Sequence, residues 1–124
     1  MLDREKTVEI TKELAPYAPE EQIGEYKLRR WSWFEKQGAT ERSTQIIDAG
    51  KGIVHTSITD YYSEALCVIV REAPKDLTWD INFIKNELDA NVGDILRDAM
   101  RTIIELPSKN RFLEQSEPEL DTLG

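Results

Sequence analysis

The residues whose types could support catalysis are one histidine, one cysteine and several carboxylates near the ends of predicted strands. His55 stands two positions before Ser57, so both side chains share one face of a strand, and Asp60 follows closely. A Ser-His-Asp relay needs the imidazole between the hydroxyl and the carboxylate, and neighbouring positions on one strand rarely supply that geometry. A small-molecule-binding enzyme that uses His55 and a carboxylate between sheet and helices is therefore only an alternative hypothesis.

Neither a metal site nor a phosphate-binding loop is indicated by residue spacing. One histidine and Cys67, which stands inside an apolar run, are too few for a zinc site. The acidic stretch 89–95 departs from a calcium loop, because Met100 stands where a bidentate glutamate is required. Gly50-Lys51-Gly52 lacks the spacing of a P-loop and is typical of a tight turn. We predict no cofactor and no metal.

The most distinctive cluster in the sequence consists of four residues at every second position: Lys27, Arg29, Trp31 and Trp33. In a strand these side chains project to one side, which gives a stripe of cations and indoles. Tryptophan and arginine dominate protein interfaces when they are desolvated. We therefore predict that the four residues bind a partner, with both indoles on the sheet face turned away from the protein's own helices. The alternative is that both indoles belong to the core.

The longest periodic pattern runs from residue 77 to residue 106 and predicts an amphipathic helix. Apolar residues recur there at steps of three and four: Ile81, Ile84, Leu88, Val92, Ile95, Ala99 and Ile103. The stretch Asn91-Val92-Gly93-Asp94 has the form of a helix stop followed by a new cap. One continuous helix and two helices, over 78–91 and 94–106, therefore both remain open.

The remaining elements complete an α+β fold. Periodicity predicts an N-terminal helix over 3–14 and four strands over 25–36, 43–48, 53–59 and 62–72. We expect a two-layer sandwich in which a four-stranded antiparallel meander is followed by the long C-terminal helix. At the level of fold alone, this order of elements resembles the secretion-chaperone folds. Residues 1–107 are expected to form one domain, and 108–124 a disordered acidic tail.

Composition narrows the classes of function. The 124 residues carry a formal net charge of −8, which makes nucleic acid an unlikely partner. The polar N-terminus and the absence of an apolar run of ~20 residues predict a cytoplasmic protein without membrane contact.

We expect a non-catalytic protein-interaction module: a small acidic adaptor, chaperone or inhibitor. It would bind a protein partner, or a second copy as a homodimer, through the Trp/Arg-bearing sheet face or the long helix. An acidic inhibitor that mimics nucleic acid is a further alternative.

Overall fold

A computed structural model describes residues 4–48 and 50–105, and shows a mixed fold of helices and antiparallel strands. The strands are β1 (Glu5–Ile10), β2 (Gly24–Arg29), β3 (Thr44–Asp48), β4 (Ile53–Thr56) and β5 (Val70–Glu72). The α-helices are α1 (Trp33–Arg42), α2 (Ile58–Ile69), α3 (Ile81–Asn86) and α4 (Ala90–Ile104). A single 3-10 turn over Glu20–Gln22 precedes β2. No helix in the described ranges is long and apolar enough to cross a membrane.

The main sheet has three strands in the order β1-β2-β5, and both pairs are antiparallel. One face of this sheet buries Val8 and Ile10 of β1 together with Tyr26 and Leu28 of β2. These side chains join buried residues of α2 and α4 in one apolar cluster. The opposite face is polar, with exposed side chains at Glu5, Thr7, Glu9, Glu25, Lys27 and Arg29.

The predicted helix over 3–14 is wrong, because this segment forms strand β1. Val8 and Ile10 are buried two positions apart, which is the period of a strand and not of a helix. A helix over 3–14 could also dock Leu14 on the core, but Leu14 is 52% exposed. Pairing with β2 over six residue pairs therefore decides the structure of this weakly periodic segment.

The predicted strand over 25–36 ends early, because α1 begins within it. Ser32 accepts a hydrogen bond from the Glu35 amide, and the Glu35 carboxylate accepts one from the Ser32 amide. This reciprocal capping box fixes the start of a helix. Gly38 consequently lies inside α1.

The predicted hairpin is present, but it does not extend the main sheet. Strands β3 and β4 pair only with each other, so the expected four-stranded meander is wrong. Gly52, in the connecting turn, has a φ of +70°, which suits glycine at this position. In the chain, the hairpin connects α1 to α2.

The fourth predicted strand, over 62–72, is also wrong, since most of this segment belongs to α2. Ser57 caps this helix by accepting a hydrogen bond from the Asp60 amide at 3.1 Å. The buried residues Ala65, Leu66 and Ile69 are spaced as one helical face requires. Only the last three residues, which form β5, join the main sheet.

The long amphipathic stretch forms two helices, as one of the two interpretations predicted, but the break precedes Gly93. It lies between α3 and α4, where the buried side chain of Gln22 is inserted. The Gln22 Nε2 donates to the Glu87 carbonyl at 2.8 Å, and its Oε1 accepts from the Asp89 amide at 2.9 Å. Asp89 then caps α4, so Gly93 lies within the first turns of that helix. The predicted tail over 108–124 falls outside the described residues.

Candidate functional site

The four residues of the predicted stripe do not share one surface. Lys27 and Arg29 lie on the polar face of the sheet, and the Lys27 Nζ is 3.7 Å from the Glu72 carboxylate. Trp31 is only 7% exposed and packs edge-on against Tyr61, with ring centroids 5.9 Å apart. Trp33 is the first residue of α1 and is 74% exposed. The expected placement of both indoles on the outer sheet face is therefore wrong, because the chain turns from strand to helix between them.

A cationic cleft lies where β2 ends and α1 begins. It has a volume of about 530 Å³. We call it the arginine cleft, and its lining residues are Arg4, Arg29, Arg30, Trp31, Ser32, Glu35 and Arg71. Four guanidinium groups and a single carboxylate are thus concentrated at one place in a chain whose formal charge is −8.

Two of these arginines are held by hydrogen bonds. Arg71 donates from Nη1 and Nη2 to the two carboxylate oxygens of Glu35, each at 3.1 Å. Arg30 donates from Nη1 to the Ile103 carbonyl, near the end of α4, at 2.8 Å. Within ranges 4–48 and 50–105, neither Arg4 nor Arg29 forms an ion pair. The cleft therefore offers two guanidinium groups that can accommodate carboxylates of a ligand.

Two exposed aromatic residues stand beside the cleft. The chain between the lining residues Ser32 and Glu35 consists of Trp33 and Phe34, which are 74% and 81% exposed. We call these two residues the aromatic pair. Large aromatic side chains seldom remain this exposed together unless a surface serves an interaction.

Glu35, the one carboxylate among the described lining residues of the cleft, is strongly acidic. The Arg71 guanidinium, and then the Ser32 amide, hold the pKa of Glu35 at about 2, well below its usual 4.5. Because the pKa is lower in the folded state, charged Glu35 stabilises the fold above pH 4.5, and this stabilisation disappears as the pH falls towards 2.

We therefore expect the free energy of unfolding to fall more steeply between pH 4.5 and pH 2 in the native chain than in a Glu35→Gln variant. The Glu35 side chain is one-third exposed, so solvent screening limits the difference to about 1 kcal/mol. Urea titrations at a series of pH values measure it. Glu41→Gln, which alters an exposed glutamate of the same helix, should retain the native slope. Equal slopes for native and Glu35→Gln would contradict this origin of the acid sensitivity.

Two of the residues considered for catalysis have structural roles instead, and the third is exposed. Ser57 uses its hydroxyl to cap α2, and Asp60 forms an ion pair with Lys85 at 3.2 Å. His55 is exposed on β4. These placements do not assemble the relay that the alternative hypothesis would need.

Other candidate groups also occupy ordinary places in the fold. Burial raises the pKa of the half-buried Cys67 thiol, which disfavours the reactive thiolate. Among the residues that the structure describes, no three His, Cys, Asp or Glu side chains are grouped so that they could hold a metal ion.

A second apolar surface is carried by the hairpin and the start of α2. Ile53, Val54 and Ile58 are all exposed there. An isolated two-stranded hairpin has little stability of its own, and its outer edges remain open to pairing. The predicted homodimer stays a prediction; its original basis, an indole-bearing sheet face, is absent, but this hairpin offers another surface for it.

Sequence reasoning missed most of the arginine cleft. Of its lining residues it selected only Arg29 and Trp31, because Arg4 and Arg71 are brought in by strand pairing across long sequence separations. The Ser32-x-x-Glu35 capping box was the available signal that α1 begins at this point. Recognising it would have placed Trp33 and Phe34 on a helix end.

Comparison of the chain with protein-family models, with curated proteins and with solved structures found no match.

Proposed function

We propose that this protein is a non-catalytic protein-interaction module that binds an acidic segment of a partner at the arginine cleft and the aromatic pair. The observation that carries the proposal is the juxtaposition of two strongly exposed aromatic side chains with Arg4 and Arg29, which form no ion pair with any residue that the structure describes. Adaptor, chaperone and inhibitor are roles that such a module can fill.

The chemistry of the surface favours a protein segment over other ligands. Planar guanidinium groups bind carboxylates through paired hydrogen bonds, and exposed aromatic residues bury apolar side chains of a partner. A peptide that carries both acidic and apolar residues satisfies both parts. Nucleic acid is disfavoured because the overall charge of −8 repels a phosphate backbone.

The cleft is also built to select by charge. The Glu35 carboxylate already forms an ion pair with Arg71, so it does not neutralise Arg4 and Arg29. Because the protein as a whole is acidic, the cluster of arginines favours an anionic partner at this location. Binding should weaken with salt, since charge pairs at a solvent-accessible cleft are screened.

The proposal is tested by selecting binders from a phage-displayed library of random peptides with the full chain as bait. We expect enriched peptides to combine Asp or Glu with large apolar residues. Replacing the aromatic pair (Trp33→Ala with Phe34→Ala) should raise the Kd of such a peptide at least about tenfold, because interface aromatics typically contribute more than ~1 kcal/mol. Fluorescence anisotropy measures the change.

The matched control alters the other exposed apolar surface. Ile53→Ser with Val54→Ser removes apolar area from the hairpin and should leave the Kd of the same peptide unchanged. Circular dichroism establishes that both double variants remain folded. Failure to enrich acidic peptides, or binding that survives loss of the aromatic pair, would overturn the proposal.

A further inference from the structure

Helix α4 ends at the rim of the arginine cleft. The carbonyl of Ile103, in the last turn of this helix, accepts the hydrogen bond from Arg30, which itself lines the cleft. One residue earlier, the Thr102 hydroxyl accepts a hydrogen bond from Lys6 of β1 at 3.1 Å. The end of α4 is thus held against β1, which Arg4 immediately precedes, and against Arg30, which immediately follows Arg29.

The sequence beyond this point has the composition that the cleft would select. Between residues 112 and 121 there are four acidic residues and no basic one: Glu114, Glu117, Glu119 and Asp121. The same stretch contains the apolar residues Phe112, Leu113 and Leu120. It therefore combines the two chemistries expected of a ligand for this surface.

The connection is long enough for this stretch to reach the cleft. Glu114 lies nine residues after Glu105, and nine residues of extended chain span up to ~30 Å. A segment tethered at such a length is present at an effective concentration of the order of millimolar. Even if the segment bound the cleft weakly, a large fraction of the molecules would then have it bound.

We propose that segment 112–121 occupies the arginine cleft of its own chain and thereby competes with the acidic partner. This inference rests on the proposed function, because it assigns to the same site an intramolecular ligand. The carboxylates of the segment neutralise Arg4 and Arg29, and its apolar residues cover the aromatic pair. Partner binding then requires displacement of the segment, so the module is autoinhibited.

The occupancy is tested in the full chain with a nitroxide spin label. The label is attached at Ser116→Cys in a Cys67→Ser background, and amide signals are followed by NMR. We expect loss of intensity at Arg30, Trp31 and Ser32, and none at the hairpin residue His55. Because tethering alone brings the label near the cleft, the deciding comparison is a neutralised variant. Its substitutions are Glu114→Gln, Glu117→Gln, Glu119→Gln and Asp121→Asn.

Neutralisation should restore the signals of the cleft, and Arg4→Gln with Arg29→Gln should do so as well. Intensity loss that persists unchanged in both variants reflects proximity without binding and would overturn the inference. Loss centred on another surface would overturn it equally.

A second measurement separates this inference from the proposed function. If the segment fills the cleft for about nine-tenths of the time, the neutralised variant binds a selected acidic peptide about tenfold more tightly than the native chain. A peptide whose binding depends on the aromatic pair but not on neutralisation refutes autoinhibition and leaves the proposed function standing. Recovery of the cleft signals without any peptide binding supports the intramolecular contact and refutes the partner.

Discussion

Replacing Leu96 with alanine is expected to lower the free energy of unfolding by about 2–5 kcal/mol, the largest effect of any single change considered. Leu96 lies in the middle of α4 and is fully buried in the apolar cluster shared with β1 and β2. Truncation removes its apolar contacts and leaves a cavity that the surrounding helices and strands fill only in part. Equilibrium denaturation in urea measures the loss as a lower midpoint.

Leu14→Ala is the matched control, since it makes the same chemical change at a residue that is half exposed. We expect a loss below about 1 kcal/mol, because little apolar area returns to water. The comparison also tests the assignment of the N-terminal segment. Similar losses at the two positions would show that Leu14 is docked on the core, as a helix over 3–14 would require.

The second large effect is expected from Gln22→Leu, at about 2–3 kcal/mol. Gln22 is 2% exposed, and its amide group connects the turn before β2 to the break between α3 and α4. Leucine has a similar size but can neither donate to the Glu87 carbonyl nor accept from the Asp89 amide. Two partly buried backbone groups would then lose their partners, and each such loss is costly.

Two measurements are informative for this variant. Urea denaturation gives the global loss of stability, and hydrogen exchange should show faster exchange of the Asp89 amide than in the native chain. Gln37→Leu replaces an exposed glutamine in α1 and should change stability by less than about 0.5 kcal/mol. If Gln22→Leu were as stable as this control, the side-chain amide would not be what holds the helix break.

The elements predicted correctly are those whose signals are local. The apolar steps of three and four residues between 77 and 106 do form helices, and the glycines at 50 and 52 lie at the turn of a hairpin. The position of the helix break was misplaced because its cause lies 65 residues away, in the side chain of Gln22. The local signal is Asp89, which caps α4 four residues before Gly93.

The strand errors have a different physical origin. The run from Ala65 to Val70 fits a buried strand or a buried helix equally well. Every residue in it is apolar, so its spacing shows neither the two-residue period of a strand nor the 3.6-residue period of a helix. Ser57 and Ser32 were the deciding residues, since each caps a helix that begins immediately after it. Both capping serines are recognisable in the sequence.

The candidate site was predictable in composition and not in shape. The arginine and tryptophan residues between positions 29 and 33 are apparent from the sequence, but the change from strand to helix separates the two indoles. Arg4 and Arg71 join Arg29 only because β1 and β5 pair with opposite edges of β2. Such pairings depend on the whole core, so the concentration of positive charge becomes apparent only in three dimensions.

One contact between backbones has a consequence for how the chain tolerates change over evolution. The Ser57 amide donates to the Ser43 carbonyl at 3.0 Å, and Arg42 of α1 is joined to Glu64 of α2 at 2.7 Å. These two contacts hold α1 and α2 together at the base of the hairpin. They do not involve the residues between Ser43 and Ser57. Insertions, deletions and engineered grafts between 44 and 56 should accumulate without altering the rest of the molecule, so this is where relatives are expected to diverge most in length.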